Sequence, residues 1–217
     1  MDIKNLISFI RYGVDSAKTR EKMILGAVAI SIFSMFACMD CFIYDTLTLV
    51  CAIIIFLLSI AFIVILSIVA RVLNMQTRVK CDAIITIFTV AICSLTGTVY
   101  FYMNEIPYSF LLLTVPFIFA IISFLNSYVK VKKNKYITKT NNPNYLNLAV
   151  FTGIGAVLGY VIMQRYYDQI SEFISMDILI GVLFLMIAII FAVMGAPSFL
   201  KLYYLKELNA TGINLDV

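Results

Sequence analysis

The stretch over residues 46–70 constrains the fold more than any other part of the chain, because it contains no charged side chain. At a helical rise of 1.5 Å per residue, its roughly 25 residues exceed the ~30 Å hydrocarbon core of a bilayer. With 63% hydrophobic and 13% charged residues, the whole chain is far more apolar than a soluble domain. The sequence therefore predicts an all-α, polytopic membrane protein.

Six apolar runs are each close to the roughly 17 to 25 residues that a spanning helix needs. None alternates with a period of two, which favours helices over a β-barrel. Asn and Pro in the short segment 104–108 predict a tight turn, so that the third and fourth runs form an antiparallel hairpin. We therefore expect a six-helix transmembrane bundle over residues 23–196, with spans at 23–39, 47–70, 83–103, 109–129, 146–164 and 178–195.

The two ends of the chain are expected to lie outside the bundle. Residues 1–22 are too charged to cross a bilayer, and their apolar side chains predict an amphipathic helix in the headgroup region. A cytosolic helix packed on neighbouring loops is the alternative. Residues 197–217 predict a short cytoplasmic tail. The amphipathic stripe consists of Ile3, Leu6, Ile7, Ile10, Val14 and Ala17.

The distribution of charge predicts the orientation. Of the 16 Lys and Arg residues, Arg165 alone falls in a connection on the predicted outer side. Loops rich in Lys and Arg stay in the cytoplasm, so both termini are expected inside the cytoplasmic membrane. The absence of Trp and His in an Asn-, Ile- and Lys-rich chain is typical of an AT-rich bacterial genome. The outer connections are short and acidic, with Asp40, Asp45, Glu105, Asp168, Glu172 and Asp177.

A basic cluster follows the fourth run and contains Lys130, Lys132, Lys133 and Lys135. Its simplest interpretation is an orienting charge, and it could also bind anionic lipid or dock a cytoplasmic partner. The other basic residues are spread over several connections without a module that reads nucleic acid, so no nucleic-acid partner is expected.

The composition excludes several kinds of chemistry. The chain has no His, and no Asp or Glu lies deep within an apolar run, so the usual general bases and imidazole metal ligands are missing from the predicted interior. A proton-coupled carrier is disfavoured for the same reason. No Gly-rich phosphate loop is present, and any ATP hydrolysis must belong to another chain. We expect no cofactor, no metal and no enzymatic activity.

One motif could carry reaction chemistry. Cys38 and Cys41 form a C-x-x-C pair at the predicted outer end of the first span, a spacing found in thiol-disulfide exchange sites. A disulfide relay needs a second exofacial thiol pair, and no other outer connection has a Cys. The alternative is that both are small apolar residues three positions apart.

Small and polar residues within the runs point to helix packing. Gly153, Gly155 and Gly159 in the fifth run permit close approach of another helix, in the same monomer, in a homo-oligomer or beside a substrate. Pro116 predicts a kink in the fourth span. Interhelical hydrogen bonding is the simpler explanation for a second group of polar residues, which could instead line a polar pathway: Thr86, Thr89, Ser94, Thr96 and Asn126.

The predicted plan resembles small ABC-type permease subunits and the substrate-capture subunits of vitamin transporters. That resemblance is one of architecture and implies a transport subunit working with a separate cytoplasmic ATPase, which would contact residues 72–81 and 130–145. The alternative function is a membrane immunity or accessory protein that binds a membrane-active peptide or partner helices. A thiol-disulfide membrane oxidoreductase, based on Cys38 and Cys41, is the third.

Overall fold

The computed structural model describes residues 3–11, 17–39, 44–69, 75–135 and 176–210, and these contain helices and turns without any strand. The all-α prediction is confirmed for this part of the chain. In chain order the elements are α1 (Ile3–Arg11), α2 (Ala17–Ala37), α3 (Thr46–Val69), α4 (Met75–Met103), a 3₁₀ helix (Ser109–Thr114), α5 (Val115–Lys132) and α6 (Met176–Ala210).

Four segments are long and apolar enough to cross a membrane, which suggests a membrane protein. They are Thr46–Leu66, Gln76–Met103, Ser109–Lys132 and Asp177–Asn209, and they correspond to the predicted second, third, fourth and sixth spans. The predicted first span overlaps α2, in which Ala27–Ala37 forms a shorter apolar helix. The predicted fifth span, with Gly153, Gly155 and Gly159, lies outside the described residues. The count of six spans stays a prediction.

Helix α4 is the centre of the described bundle. It packs against α2, α3 and α6, and α2 also contacts α6 through the stacked rings of Phe33 and Phe184. Towards α3, the rings of Phe62 and Phe88 stack with centroids 5.2 Å apart. Towards α6, the buried Cys93 belongs to a cluster with Phe184 and Ala188. Helix α4 therefore contacts three of the other long helices and lies at the centre of their packing.

Glycines allow α4 and α6 to approach closely at two levels. A Cβ atom added to Gly97 would lie 2.8 Å from the Gly181 carbonyl oxygen, which is too close for a real contact. A Cβ atom added to Gly195 would lie 2.5 Å from the Thr86 Cβ. The α4–α6 interface therefore depends on these three glycines, as expected where helix association relies on close packing.

Helix α1 packs onto the bundle at the end opposite the 104–108 turn. Phe9 and Ile10 are buried with Val131 of α5 and Leu200 of α6. The Asn5 amide Nδ2 donates a 2.7 Å hydrogen bond to the Val131 carbonyl oxygen. We call this end, where α1, the start of α4 and the ends of α5 and α6 meet, the basic end.

The apolar face of α1 differs in detail from the predicted stripe. Leu6 and Ile10 are buried as that stripe requires, whereas Ile3 is 54% exposed and Phe9, which the stripe omitted, is buried. Phe9 packs edge-on against Tyr204, with ring centroids 6.4 Å apart. This face meets protein; a bilayer beside the helix stays a prediction.

The boundaries of several helices also differ from those expected. Helix α4 begins at Met75, eight residues before the start of the predicted third span at residue 83, and so includes Arg78 and Lys80. Pro116 lies in the first turn of α5, directly after the 3₁₀ helix, where its missing N–H breaks no helical hydrogen bond. Helix α6 continues through Pro197 to Ala210, so the start of the predicted tail is part of one long helix.

Candidate functional site

The turn between α4 and the 3₁₀ helix has a defined backbone geometry. The Glu105 N–H donates to the Tyr102 carbonyl at 2.9 Å, and the Ile106 N–H donates to the Phe101 carbonyl at 3.1 Å. These two bonds form a Schellman motif, in which the residue after the helix cap adopts a left-handed conformation. That residue is Glu105, with φ 58°. We call this end of the bundle, around residues 104–108, the turn end.

Tyr108 is the second left-handed residue at the turn end, with φ 58°. Glycine usually occupies such positions, because a side chain costs about 1–2 kcal/mol there. The 3₁₀ helix begins directly afterwards at Ser109, which is buried. Glu105 and Tyr108 therefore each carry a backbone strain energy that glycine at the same position would avoid. The Tyr108 side chain is 82% exposed.

Asp45 caps the start of α3 beside this turn. Its Oδ1 accepts a 2.7 Å hydrogen bond from the Thr48 backbone N–H, and its Oδ2 accepts a 3.0 Å bond from the Tyr102 hydroxyl. Donation by the Thr48 N–H, and to a smaller extent by the Tyr102 hydroxyl, lowers the pKa of Asp45 below its ordinary value. The carboxylate is thus ionised at neutral pH and held in one orientation between α3 and α4.

A cavity of about 480 Å³ lies between the start of α3 and the turn. Its walls include the carboxylates of Asp45 and Glu105 and several aromatic rings, and no basic side chain is among the described residues that line it. The rings of Tyr102 and Phe110 meet at an angle of 52° with centroids 5.5 Å apart. We call it the turn-end cavity.

A second, apolar groove lies on the side of the bundle between α4, α5 and α6. Its volume is about 330 Å³, and it is lined almost entirely by apolar atoms, including those of Val90, Ile121 and Ala192. The Ser123 hydroxyl donates a 2.7 Å hydrogen bond to the Val193 carbonyl and joins α5 to α6. We call it the lateral groove.

Four of the five residues of the predicted polar pathway lie on α4, and the fifth, Asn126, lies on α5. Three of the hydroxyls donate to carbonyls of their own helix: Thr86 to Asp82, Ser94 to Ala91 and Thr96 to Ile92. The Thr89 hydroxyl is buried without a hydrogen-bond partner. Asn126 is exposed on α5. The three hydroxyl bonds lie within α4, so both the polar pathway and its alternative, interhelical hydrogen bonding, stay predictions.

The remaining predicted site residues are dispersed. Cys38 is buried, and its thiol lies 3.9 Å from the Thr96 hydroxyl, to which it donates. Cys41 lies outside the described residues. The basic cluster is at the basic end, away from the turn-end cavity, and the Lys132 ammonium lies 4.8 Å from the centre of the Tyr128 ring. The other lysines of this cluster are Lys130, Lys133 and Lys135, which lie on or just after the last turn of α5.

Sequence reasoning missed two features of the site and its support. The charge pattern predicts that Asp45 and Glu105 lie in outer connections, but nothing in their spacing predicts that they share a cavity with Tyr102 and Tyr108. The glycines of the α4–α6 interface were also missed. A signal for α6 exists, because Gly181, Ala188 and Gly195 recur at intervals of seven, the spacing of one helix face.

Comparison of the chain with protein-family models, with curated proteins and with solved structures finds no match. The function must therefore be inferred from the geometry of this chain. Among the described residues, no group of three or more His, Cys, Asp or Glu side chains lies close enough to hold a metal ion. The turn-end cavity, with two carboxylates and aromatic walls, is better suited to binding than to metal-assisted chemistry.

Proposed function

We propose that the chain is a small, non-enzymatic transport subunit of the cytoplasmic membrane, with six spans and both termini inside, that works with a separate cytoplasmic ATPase. The turn-end cavity carries this proposal. Its volume of about 480 Å³ lies within the roughly 300–1,000 Å³ of typical small-molecule sites. In the proposed orientation the cavity opens to the outside, where a capture subunit meets its ligand.

The charges of the described helices support the proposed orientation. Asp45 and Glu105 are at the turn end, and Asp177 begins the helix that packs there. Basic residues gather at the opposite end, where α1 and the last turn of α5 contribute Arg11, Lys130 and Lys132. The rule that positively charged connections remain inside then directs the turn end outwards.

Tight packing below the cavity favours capture over conduction by this chain alone. The Gly97 and Gly181 backbones are in contact one helical turn below Phe101, so α4 and α6 leave no space between them at that level. A ligand held at the turn end would therefore need these two helices to move before it could pass between them. In the proposed complex, the ATPase supplies that movement through α1 and the basic cluster.

Purification from the native host in a mild detergent tests the proposed function. We expect an ATPase to copurify and its turnover to depend on this chain. Lys133→Ala combined with Lys135→Ala should weaken the association, because both side chains are exposed at the proposed docking end, whereas Asp177→Asn at the other end should leave it unchanged. Recovery of the chain with a peptide toxin or a non-ATPase membrane protein in place of an ATPase would contradict the proposal.

The orientation has a separate test on intact cells. In a background whose five native cysteines are replaced by Ser, Glu105→Cys should react with a membrane-impermeant maleimide and Lys133→Cys should react only after the cells are opened. The two positions end α4 and α5, at opposite ends of one hairpin. Labelling in the reverse pattern would place the basic end outside and would remove the outward-facing cavity from the proposal.

The lateral groove favours a second candidate function, an immunity or accessory protein that binds a membrane-active peptide or partner helix. Its apolar walls and open side would accommodate the apolar face of such a helix. Ala120→Phe should fill the groove and abolish protection against the peptide, while Ile118→Phe, outside the lining, should preserve it. Equal protection by the two variants would contradict this candidate.

A further inference from the structure

We infer that the turn-end cavity binds an organic cation, with an ammonium group seated against the Asp45 and Glu105 carboxylates and the rings of Tyr102 and Phe110. The inference rests on the proposed function only in taking the turn end to face outwards. It adds the chemical class of the ligand, which the proposed function leaves open.

Charge is the first reason for a cation. Asp45 and Glu105 come from separate elements, the start of α3 and the end of α4, and both line the same cavity. The Thr48 N–H and the Tyr102 hydroxyl donate to different oxygens of the Asp45 carboxylate and so fix its orientation. Each carboxylate oxygen can accept a further bond, so Asp45 remains able to pair with an ammonium group. An anion would meet two negative charges and no basic side chain of the described lining.

The aromatic walls explain why the cation is organic. Tyr102 and Phe110 form a corner, with their planes 52° apart, and Tyr44 and Tyr108 add two more rings to the lining. The face of an aromatic ring attracts an ammonium group, and cages of such rings recognise quaternary ammonium ligands. A hard metal cation would instead require about six oxygen ligands, whereas these walls offer two carboxylates and apolar ring surface.

The cavity is also large enough for more than a bare ion. Its volume of about 480 Å³ leaves room for an alkyl group beside the ammonium. The Pro107 and Ile106 side chains of the turn provide apolar surface for it. A ligand with a cationic head and a small apolar or hydroxyl-bearing part therefore fits the lining better than an inorganic cation.

Choline is a suitable probe, and 3,3-dimethyl-1-butanol, its uncharged carbon analogue, is the matched control. Calorimetric titration of the full-length chain, purified without any ATPase in phosphatidylglycerol nanodiscs, should detect choline binding that weakens as salt screens the charges. The uncharged analogue should bind at least about tenfold more weakly, because it lacks the charge that the rings and carboxylates attract. Equal binding of the two probes, or no binding of choline, would overturn the inference.

Substitutions identify the site of binding. Asp45→Asn and Glu105→Gln should each weaken choline binding about tenfold, the loss of one charge contact. Because Asp45→Asn also alters the cap of α3, the exposed Glu105→Gln and the ring substitution Phe110→Leu provide independent tests. Asp177→Asn, an exposed acid outside the lining, should bind choline as the unaltered chain does. Unchanged binding by Glu105→Gln and Phe110→Leu would contradict this site.

The cation could belong to a free solute or to a lipid headgroup, and nanodisc composition distinguishes these sources. If headgroups enter the cavity, nanodiscs of phosphatidylcholine in place of phosphatidylglycerol should weaken the binding of free choline. If only solutes enter, the affinity for choline should be the same in both lipids. Each result supports a cation site. If an ATPase copurifies from the native host but the isolated chain does not bind choline, this inference alone is overturned. If the isolated chain binds choline but no ATPase copurifies from the native host, the proposed function alone is overturned.

Discussion

Helices α4 and α5 follow each other in the chain and share one turn, yet they are buried very differently. In the most apolar part of α4, 72% of the residues are buried inside the protein. In the corresponding part of the segment that contains α5, the share is 11%. Both segments are apolar enough to cross a membrane. Apolar character alone therefore does not determine which helix becomes the centre of the bundle.

The size of the side chains distinguishes the two helices. Gly97 and several hydroxyl residues on α4 allow other helices to approach closely, which is how helix interfaces form where lipid competes for apolar side chains. Helix α5 is buried at Pro116, Ser127 and Val131 and turns branched residues such as Ile118 and Ile122 outwards. A continuous exposed apolar face of this kind needs lipid or another protein against it.

The largest expected effect tests whether the exposed face of α5 contacts lipid. Ile122 lies near the middle of α5 and is 56% exposed. A lysine there should cost about 2.5 to 3.5 kcal/mol of insertion free energy, because its charge would lie near the bilayer centre. Quantitative immunoblots of membrane fractions should show a large loss of Ile122→Lys and none of Ile122→Leu. Normal membrane levels of the lysine variant would mean that this face meets water.

The next largest effect is expected where α4 packs closely against α6. Gly195→Ala should reduce the free energy of unfolding by about 2 to 3 kcal/mol, since the new Cβ overlaps the short, branched Thr86 side chain. Gly181→Ala should cost less, because its nearest contact would be 3.1 Å. Ala120→Leu in the lateral groove is the control and should cost little. The thermal midpoints of the detergent-purified variants provide the measurement, and equal midpoints would contradict the close α4–α6 packing.

A smaller effect is expected where α1 covers the end of α5. Asn5→Ala removes the hydrogen bond to the Val131 carbonyl, which keeps the Asn134 N–H as a donor, so the expected cost is about 0.5 to 1.5 kcal/mol. Asn126→Ala is the control, since Asn126 lies on the exposed face of α5, and it should change the thermal midpoint very little. If the two variants behave alike, α1 does not hold α5 at the basic end.

The same contrast explains how far the sequence predicts this fold. Unbroken apolar runs identified the segments that became α3, α4, α5 and α6, because length and hydrophobicity are properties of each segment alone. The ends of α4 and α6 were misplaced, since charged residues such as Arg78 and Lys80 continue a helix once neighbouring helices support it. Which helix is central depends on contacts between segments, and these are not visible in any one run.

The candidate site was predictable only in parts. The pattern of charge assigns Asp45 and Glu105 to the same side of the membrane. Their meeting in one cavity depends on the Schellman motif at Glu105, which places a non-glycine residue in a left-handed conformation. Sequence rules predict glycine or asparagine at such a position. The Asn and Pro of the 104–108 segment predict a turn, but a glutamate at 105 gives no signal that this residue is the left-handed one.

The smallest expected effect concerns the turn that α4 and α5 share. Helix α5 ends in a second Schellman motif, with Asn134 at φ 52° in the position that Glu105 occupies after α4. Asparagine tolerates this conformation and glutamate does not. Glu105→Gly should therefore raise the free energy of unfolding by about 0.5 to 1 kcal/mol, and Asn134→Gly should change it less. Thermal midpoints of the two purified variants would measure this difference.

A stabilised Glu105→Gly variant that no longer binds choline would mean that the turn keeps its carboxylate for binding at the expense of stability. A destabilised variant would mean that the Glu105 side chain contributes contacts that outweigh the backbone strain.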